Sequence, residues 1–314
     1  MSVDLSAPVI AVMGPTATGK TALAMVLVDE FAGDIISVDS ALVYRGMDIG
    51  TAKPDAAELA RAPHRLIDIV DPDVAYSAGQ FRRDALVEID RSVAAGRVPV
   101  LAGGTMLYFR ALLLGIDSLP DADAAVRAEL EEQACNVGWP VLHAELAAID
   151  PIAAARIHPN DAQRIQRALE VFRISGRPLS DWQRGGRAGL ARPVLKIGLI
   201  PSCRDALHTR IESRFDAMLE AGLVDEVRQL RQRFDLTGQN PSMRAVGYRQ
   251  VCAYLDGDLT LAQARADAIT ATRRLARRQL TWLRRESDLH VIDSEAPDVH
   301  AAALAWLRTR GVAR

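Results

Sequence analysis

The chain has 314 residues, 49% apolar and 25% charged, a globular composition that excludes wholesale disorder. Lysine and arginine number 38 against 40 acids, a formal charge of −2, so affinity for a polyanion has to come from local clustering of charge. No apolar run approaches the ~20 residues of a membrane span, and three scattered cysteines (Cys135, Cys203, Cys252) fit a reducing, cytoplasmic setting better than a disulfide or zinc framework.

The first eight residues carry Asp4 and no basic segment, and run straight into a strand, which does not read as a signal peptide. From Pro8 to Gly115 short apolar runs alternate with helical stretches. Strands are expected at Val9–Met13, Asp34–Val38, Arg65–Val70 and Val98–Ala102. Helices are expected at Lys20–Phe31, at Ser77–Ala94 behind the capping box Ser77-Ala78-Gly79-Gln80, and at Thr105–Leu114 before Gly115. These strands are almost uninterrupted apolar runs, the pattern of a parallel sheet covered on both faces, and the strand–helix–strand order implies a doubly wound α/β fold.

After Asp117 the pattern is helical alone: Ala122–Gly138, Val141–Ile149 and Asp161–Ser175, broken by Pro140, Pro151 and Pro159, with Gly185-Gly186 and Pro193 marking a loop. A strand returns at Val194–Ile200. Helices follow at Arg204–Glu220, Val224–Arg233, around Met243–Leu255 and from Thr260 to Arg285; a strand at His290–Asp293, a helix at Val299–Arg310 and a frayed end complete the chain. The expected architecture is a P-loop NTPase-like doubly wound parallel sheet built from residues 1–118 and 188–314, interrupted by an all-helical insertion at 119–187.

Four segments carry chemistry. Gly14-Pro15-Thr16-Ala17-Thr18-Gly19-Lys20-Thr21 matches GxxxxGK(S/T) between a strand and a helix. Its backbone N–H groups and helix N-terminus suit phosphate, Lys20 adds a point charge, and the Thr21 hydroxyl is the usual ligand for Mg²⁺. A P-loop does not say what becomes of the phosphate. Asp71 could supply a second acid for a metal, but Asp71-Pro72 is equally a turn, and no clean apolar strand ending in Asp-Glu is present. Asp39-Ser40 closes the second strand at the carboxyl edge, where open α/β sheets bind ligands, so Asp39 is a candidate base; an Asx-turn acid would look the same. Gly103-Gly104-Thr105 reaches that edge too, with room for close backbone approach and a hydroxyl. Finally, Ile269–Arg285 holds six arginines (Arg273, Arg274, Arg277, Arg278, Arg284, Arg285) and no acid, all within an arc of about 140° if helical, a face suited to RNA phosphates. The six histidines show no ligand spacing, and Trp139, Trp182 and Trp306 read as packing residues.

The phosphate loop, Ile36–Tyr44, Gly46–Pro54, Gly103–Phe109, Arg244–Arg249 and Arg277–Trp282 together resemble the tRNA dimethylallyltransferase family, over about residues 9–293. The sequence lacks the zinc-finger extension of eukaryotic relatives and so resembles the bacterial form. The resemblance implies transfer of a dimethylallyl group from dimethylallyl diphosphate to N6 of adenosine 37, beside the tRNA anticodon, with Mg²⁺. It implies Asp39 as general base, Thr105 and Arg214 as further catalytic groups, with Arg214 on the diphosphate. As tRNA contacts it implies Asp39, Ser40, Ala41 and Leu42, Thr105, Arg127, Gln163, Arg164, Ile165, Gln166 and Arg167. To these it adds Arg244, Ala245, Val246, Gly247, Tyr248 and Arg249, and the basic face of the long helix contributes Arg277 and Arg278 through its charge. The expected partners are dimethylallyl diphosphate and a tRNA anticodon stem-loop, the latter reached by extruding a base, and the expected state is a monomer without membrane contact. A small-molecule kinase, a prenyltransferase acting on free AMP and a non-catalytic RNA binder remain as alternatives; each leaves part of this set unused.

Overall fold

The computed structural model describes residues 8–117, 119–183, 188–238 and 240–312. The first seven residues, the Gly185-Gly186 loop and the last two residues of the expected frayed end lie outside that set. The described residues divide into two units, one running up to Leu113 and resuming at Leu190, the other Leu114–Gly189.

The first unit is built on six parallel strands: β1 (Val9–Met13), β2 (Gly33–Val38), β3 (His64–Arg65), β4 (Val98–Gly103), β5 (Val194–Ile200) and β6 (Leu289–Asp293), in the order β3-β2-β4-β1-β5-β6. Period-two alternation in β1 explains why it is apolar throughout. Ile10 and Val12 join one core with α1 (Lys20–Phe31) and the C-terminal helix, while Val9, Ala11 and Met13 join another under α3 (Ala78–Ala94) and α4 (Met106–Leu113). On that second face the rings of Phe81 and Tyr108 stack with centroids 4.3 Å apart. Each fully buried Ile, Leu or Phe here contributes about 1.5–3 kcal/mol relative to exposure. This is the P-loop NTPase-like doubly wound sheet, and its carboxyl edge gathers the ends of β1, β2 and β4.

The expected strand Arg65–Val70 is cut short. Only His64–Arg65 pairs as β3, because Leu66 and Asp68 take left-handed backbone at φ 62° and 54°. The chain therefore turns away, and the N–H groups of Asp68, Ile69 and Val70 bond to the carbonyls of Leu42 and Val43 instead of continuing a ladder. The Asp55–Glu58 capping box, unread in the sequence, starts the short helix α2 (Ala56–Arg61).

In the second unit, α5 (Ala124–Val137), α6 (Trp139–Ile149), α7 (Pro151–Ala154), α8 (Ala162–Ser175) and α9 (Leu179–Trp182) pack around Leu130, Leu142, Leu146, Ile165 and Leu169. Pro140 and Pro151 do not end helices here: each lies in the first turn of one, where the missing N–H costs nothing.

Back in the first unit, α10 (Arg204–Glu220), α11 (Leu223–Phe234), α12 (Tyr248–Leu255) and α13 (Leu261–Leu283) form a helical layer with Val43, Tyr44 and Met47 in its core, and α14 (Val299–Thr309) closes the other face. The expected Met243–Leu255 helix is interrupted: Ser242–Arg244 is one 3₁₀ turn, and Gly247 at φ 95°, ψ −61° redirects the chain before α12 starts. The long basic helix stops at Leu283, so Arg284 caps it and Arg285 lies beyond. Trp139, Trp182 and Trp306 all pack against cores.

Candidate active site

A cavity of about 830 Å³ opens at the carboxyl edge of the sheet, entirely within the first unit. The phosphate loop forms one side of it. Ala17 at φ 63° and Gly19 at φ 79° curl the loop, Thr18 Oγ1 donates to the Pro15 carbonyl at 2.8 Å, and Lys20 Nζ donates to the same oxygen at 2.6 Å. Burial pulls the Lys20 ammonium from its ordinary 10.5 down to about 8; the Asp39 carboxylate opposes that fall and the Arg214 guanidinium adds to it.

β2 delivers Asp39 to the same cavity. Its Oδ1 accepts the N–H of Ala41 at 2.8 Å and of Leu42 at 3.4 Å, so the Asx turn read as the alternative to a functional acid is formed as well. That turn aims the carboxylate without consuming its second oxygen. Thr105, just past β4, joins the two strand ends: its Oγ1 accepts the Ser40 N–H at 3.0 Å, and its own N–H bonds to the Val38 carbonyl at 3.2 Å. Arg214 comes from α10, bonded to the Thr51 carbonyl at 3.3 Å, and burial lowers its guanidinium against the pull of Asp39. Three separated sequence segments thus place two cations and one carboxylate in one space.

Ala41, Leu42, Arg244, Ala245, Val246, Tyr248 and Arg278 also line the cavity. Tyr248 is fully buried and its hydroxyl donates to Glu226, a carboxylate that also accepts the N–H groups of Asp48, Ile49 and Gly50. Glu226 thereby holds the segment that presents Thr51 to Arg214. Arg249 and Arg277 are exposed on α12 and α13. Asp71, read as a possible metal acid, does not line the cavity; it pairs with Arg45 at 3.0 Å.

The remaining expected RNA contacts belong to the helical unit. Gln163 and Arg164 are exposed on α8, but Ile165 is fully buried and packs in the core of that unit. Arg127 and Arg167 both bond to Glu170, at 2.7 Å and 2.6 Å, and Gln166 donates to the Arg127 carbonyl at 3.3 Å. Burial pushes the Glu170 carboxyl up, but the bonds from Arg127, Arg167 and the Asp123 N–H outweigh it and hold the group below its usual value.

Sequence reading missed Gln279, whose amide touches both the phosphate loop and Gly104, and the apolar wall of Leu107, Phe215, Met218 and Trp282. Arg277–Trp282 is legible in the sequence as a family-like motif and for its arginines. The glutamine among them carried no charge or periodic signal to mark it.

A family model described as IPP transferase matches residues 42–286. That segment begins after the phosphate loop, so the likeness does not rest on a motif shared by many unrelated enzymes. The tRNA dimethylallyltransferase of Thiobacillus denitrificans is 58% identical over 298 residues, 95% of each chain. That of Alkalilimnicola ehrlichii is 61% identical over 279 residues, 89% of this chain and 88% of the other. Among solved structures, the tRNA isopentenylpyrophosphate transferase of Bacillus halodurans is 38% identical, with a TM-score of 0.70 over 97% of this chain and 98% of that one. A eukaryotic dimethylallyltransferase acting on tRNA is 26% identical, with a TM-score of 0.81 over 96% of this chain and 78% of that one. A match over most of the chain, at this identity and with the cavity built as above, leaves one conclusion: the chain belongs to the IPP transferase family, that of the tRNA dimethylallyltransferases.

Proposed function

We propose that this chain transfers the dimethylallyl group of dimethylallyl diphosphate to N6 of adenosine 37 in a tRNA anticodon stem-loop. The products are N6-(dimethylallyl)adenosine and diphosphate. One observation carries the reading: the anion-binding loop with Lys20, the Arg214 guanidinium and the Asp39 carboxylate share a single cavity. An exocyclic amine is a weak nucleophile, so the allylic carbon needs a leaving group whose growing charge is stabilised, and the amine needs a partner for its proton. The N6–C1 bond forms, the C1–O bond to diphosphate breaks, and Asp39 takes the proton. Lys20, Arg214 and the loop N–H groups hold the departing anion. Thr105 fixes the Asp39–Ser40 turn through the Ser40 N–H, which keeps the base in register with the leaving group.

Among the described residues no three His, Cys, Asp or Glu side chains cluster as a closed metal site. The donors present are hard oxygens, the Thr21 hydroxyl and the Asp39 carboxylate, as suits Mg²⁺, which takes few protein ligands and keeps waters and phosphate oxygens. Thr21 would hold the ion, which when bound would neutralise diphosphate charge. The RNA-contact set without the core residue Ile165, and a monomeric, cytoplasmic enzyme, belong to the same proposal; among the described residues no helix is long and apolar enough to cross a membrane.

Incubation with labelled dimethylallyl diphosphate, Mg²⁺ and either unmodified tRNA or AMP tests it. Label is expected in tRNA; label in AMP alone, or ATP consumption without label, overturns the reading. Asp39→Ala should lower kcat by about 10²–10⁴-fold while diphosphate binding survives. Unchanged turnover removes Asp39 from the chemistry.

A further inference from the structure

Gln279 lies in the second half of α13, only 8% exposed, between Leu280 and the arginines of the basic face. A buried amide is costly unless both ends are bonded, and a leucine would fill the same volume without that cost. Here both ends are bonded, to partners far away in the sequence. Oε1 accepts the backbone N–H of Thr16 in the phosphate loop at 3.1 Å, and Nε2 donates to the Gly104 carbonyl at 2.7 Å. Gly104 leaves the space for it: a Cβ there would stand 2.5 Å from Nε2.

The two partners lead to opposite halves of the reaction. Thr16 belongs to the loop that cradles the leaving group. Gly104 precedes Thr105, whose hydroxyl takes the Ser40 N–H and so fixes the turn that aims Asp39. One side chain therefore spans the cradle of the anion and the support of the base.

We propose that Gln279 is a positioning residue that sets the phosphate loop in register with the Asp39 turn, so that diphosphate and acceptor amine meet in line. The role rests on the transfer reaction proposed above. Misplacement of reacting groups by about 1 Å can cost about 10²-fold, so the effect belongs in turnover more than in binding.

The test is a double-mutant cycle on the full chain, read as kcat and KM with tRNA and dimethylallyl diphosphate. Gln279→Ala is expected to lower kcat about 10–100-fold with a smaller rise in KM for the diphosphate. Gly104→Ala, which pushes the amide off its partners, should give a similar loss. The double variant should be little worse than either alone, because once the amide is absent the methyl group at position 104 keeps only the Gly14 carbonyl oxygen, at 3.3 Å, as a close neighbour. Gln279→Leu, which refills the volume without the bonds, should lose less thermal midpoint than Gln279→Ala and still show the kcat loss. Multiplying losses in the double variant, or wild-type kcat in Gln279→Leu, overturn the positioning role while wild-type transfer stands. A wild type that transfers no prenyl group to tRNA sinks the proposed function, and this role with it.

Discussion

Lys20 shows what burial does to a phosphate-binding charge before any phosphate arrives. Desolvation has brought it to about 8, so the free protein holds a partly neutral amine just above physiological pH. A bound diphosphate adds its negative charge to that of Asp39 and favours the ammonium, which raises the pKa again. Proton uptake therefore accompanies binding near and above pH 8, and affinity falls as pH climbs past that value. Titration calorimetry with inorganic diphosphate at pH 8.5, in buffers of differing ionisation enthalpy, should show a net uptake that shrinks at pH 6.5, where Lys20 is already charged. Equal enthalpies in all buffers at pH 8.5 would contradict the assignment. The sequence made Lys20 legible as a ligand for phosphate, but not this poise, because the shift comes from burial, helped by Arg214 and opposed by Asp39, and only the fold brings these about. Gln279 is the harder case. An uncharged side chain between Arg278 and Leu280 has no charge or periodic pattern to betray it, and its significance lies in two partners that are remote along the chain.

Among the elements, those dictated by a local signal are where the sequence puts them. β1, α1, β5 and α10 keep their expected bounds because their apolar patterns and the segments flanking them agree. The misread segments are those settled by backbone conformation. The run Leu66–Val70 is apolar enough for a strand, yet two left-handed residues tie its N–H groups to the loop after β2. Arg244–Arg249 reads as helix, yet Gly247 at φ 95° ends one turn and starts α12 in a new direction, which brings Ala245 and Val246 to the cavity wall. An added Cβ at Gly247 would find Phe215 Cε2 at 3.5 Å, an ordinary contact, so the site has room and the strain of a substitution is purely conformational. Gly247→Ala should thus lower stability by about 1–3 kcal/mol without a clash, read as a lower urea midpoint at unchanged slope. A midpoint equal to wild type would show that the backbone there relaxes into an ordinary conformation.

For the whole molecule, the contrast is between a formal charge of −2 and a substrate that is a polyanion. Bulk charge gives no attraction, so RNA affinity has to reside in how the arginines are distributed. The structure divides them along α13. Arg265 is held by Asp216 and Glu212, and Arg273 by Glu212, so one member of the expected stripe already has its anion inside the protein. Among the described residues Arg274, Arg277 and Arg278 have no ion-pair partner, and Arg278 lines the cavity itself. These unneutralised charges are the ones that can displace counterions from RNA, each phosphate contact adding about 0.7–0.9 to the slope of log affinity against log salt. Arg274→Gln combined with Arg277→Gln should therefore flatten that slope by about 1.4–1.8 for a tRNA stem-loop. Arg273→Gln should change it far less, because Glu212 competes for the same guanidinium in the free protein. Binding measured from low to moderate salt separates the two. If Arg273→Gln flattened the slope as much as the double variant, the ion pair with Glu212 would have to open on RNA binding, and the charge separation along α13 would not describe the surface that RNA meets.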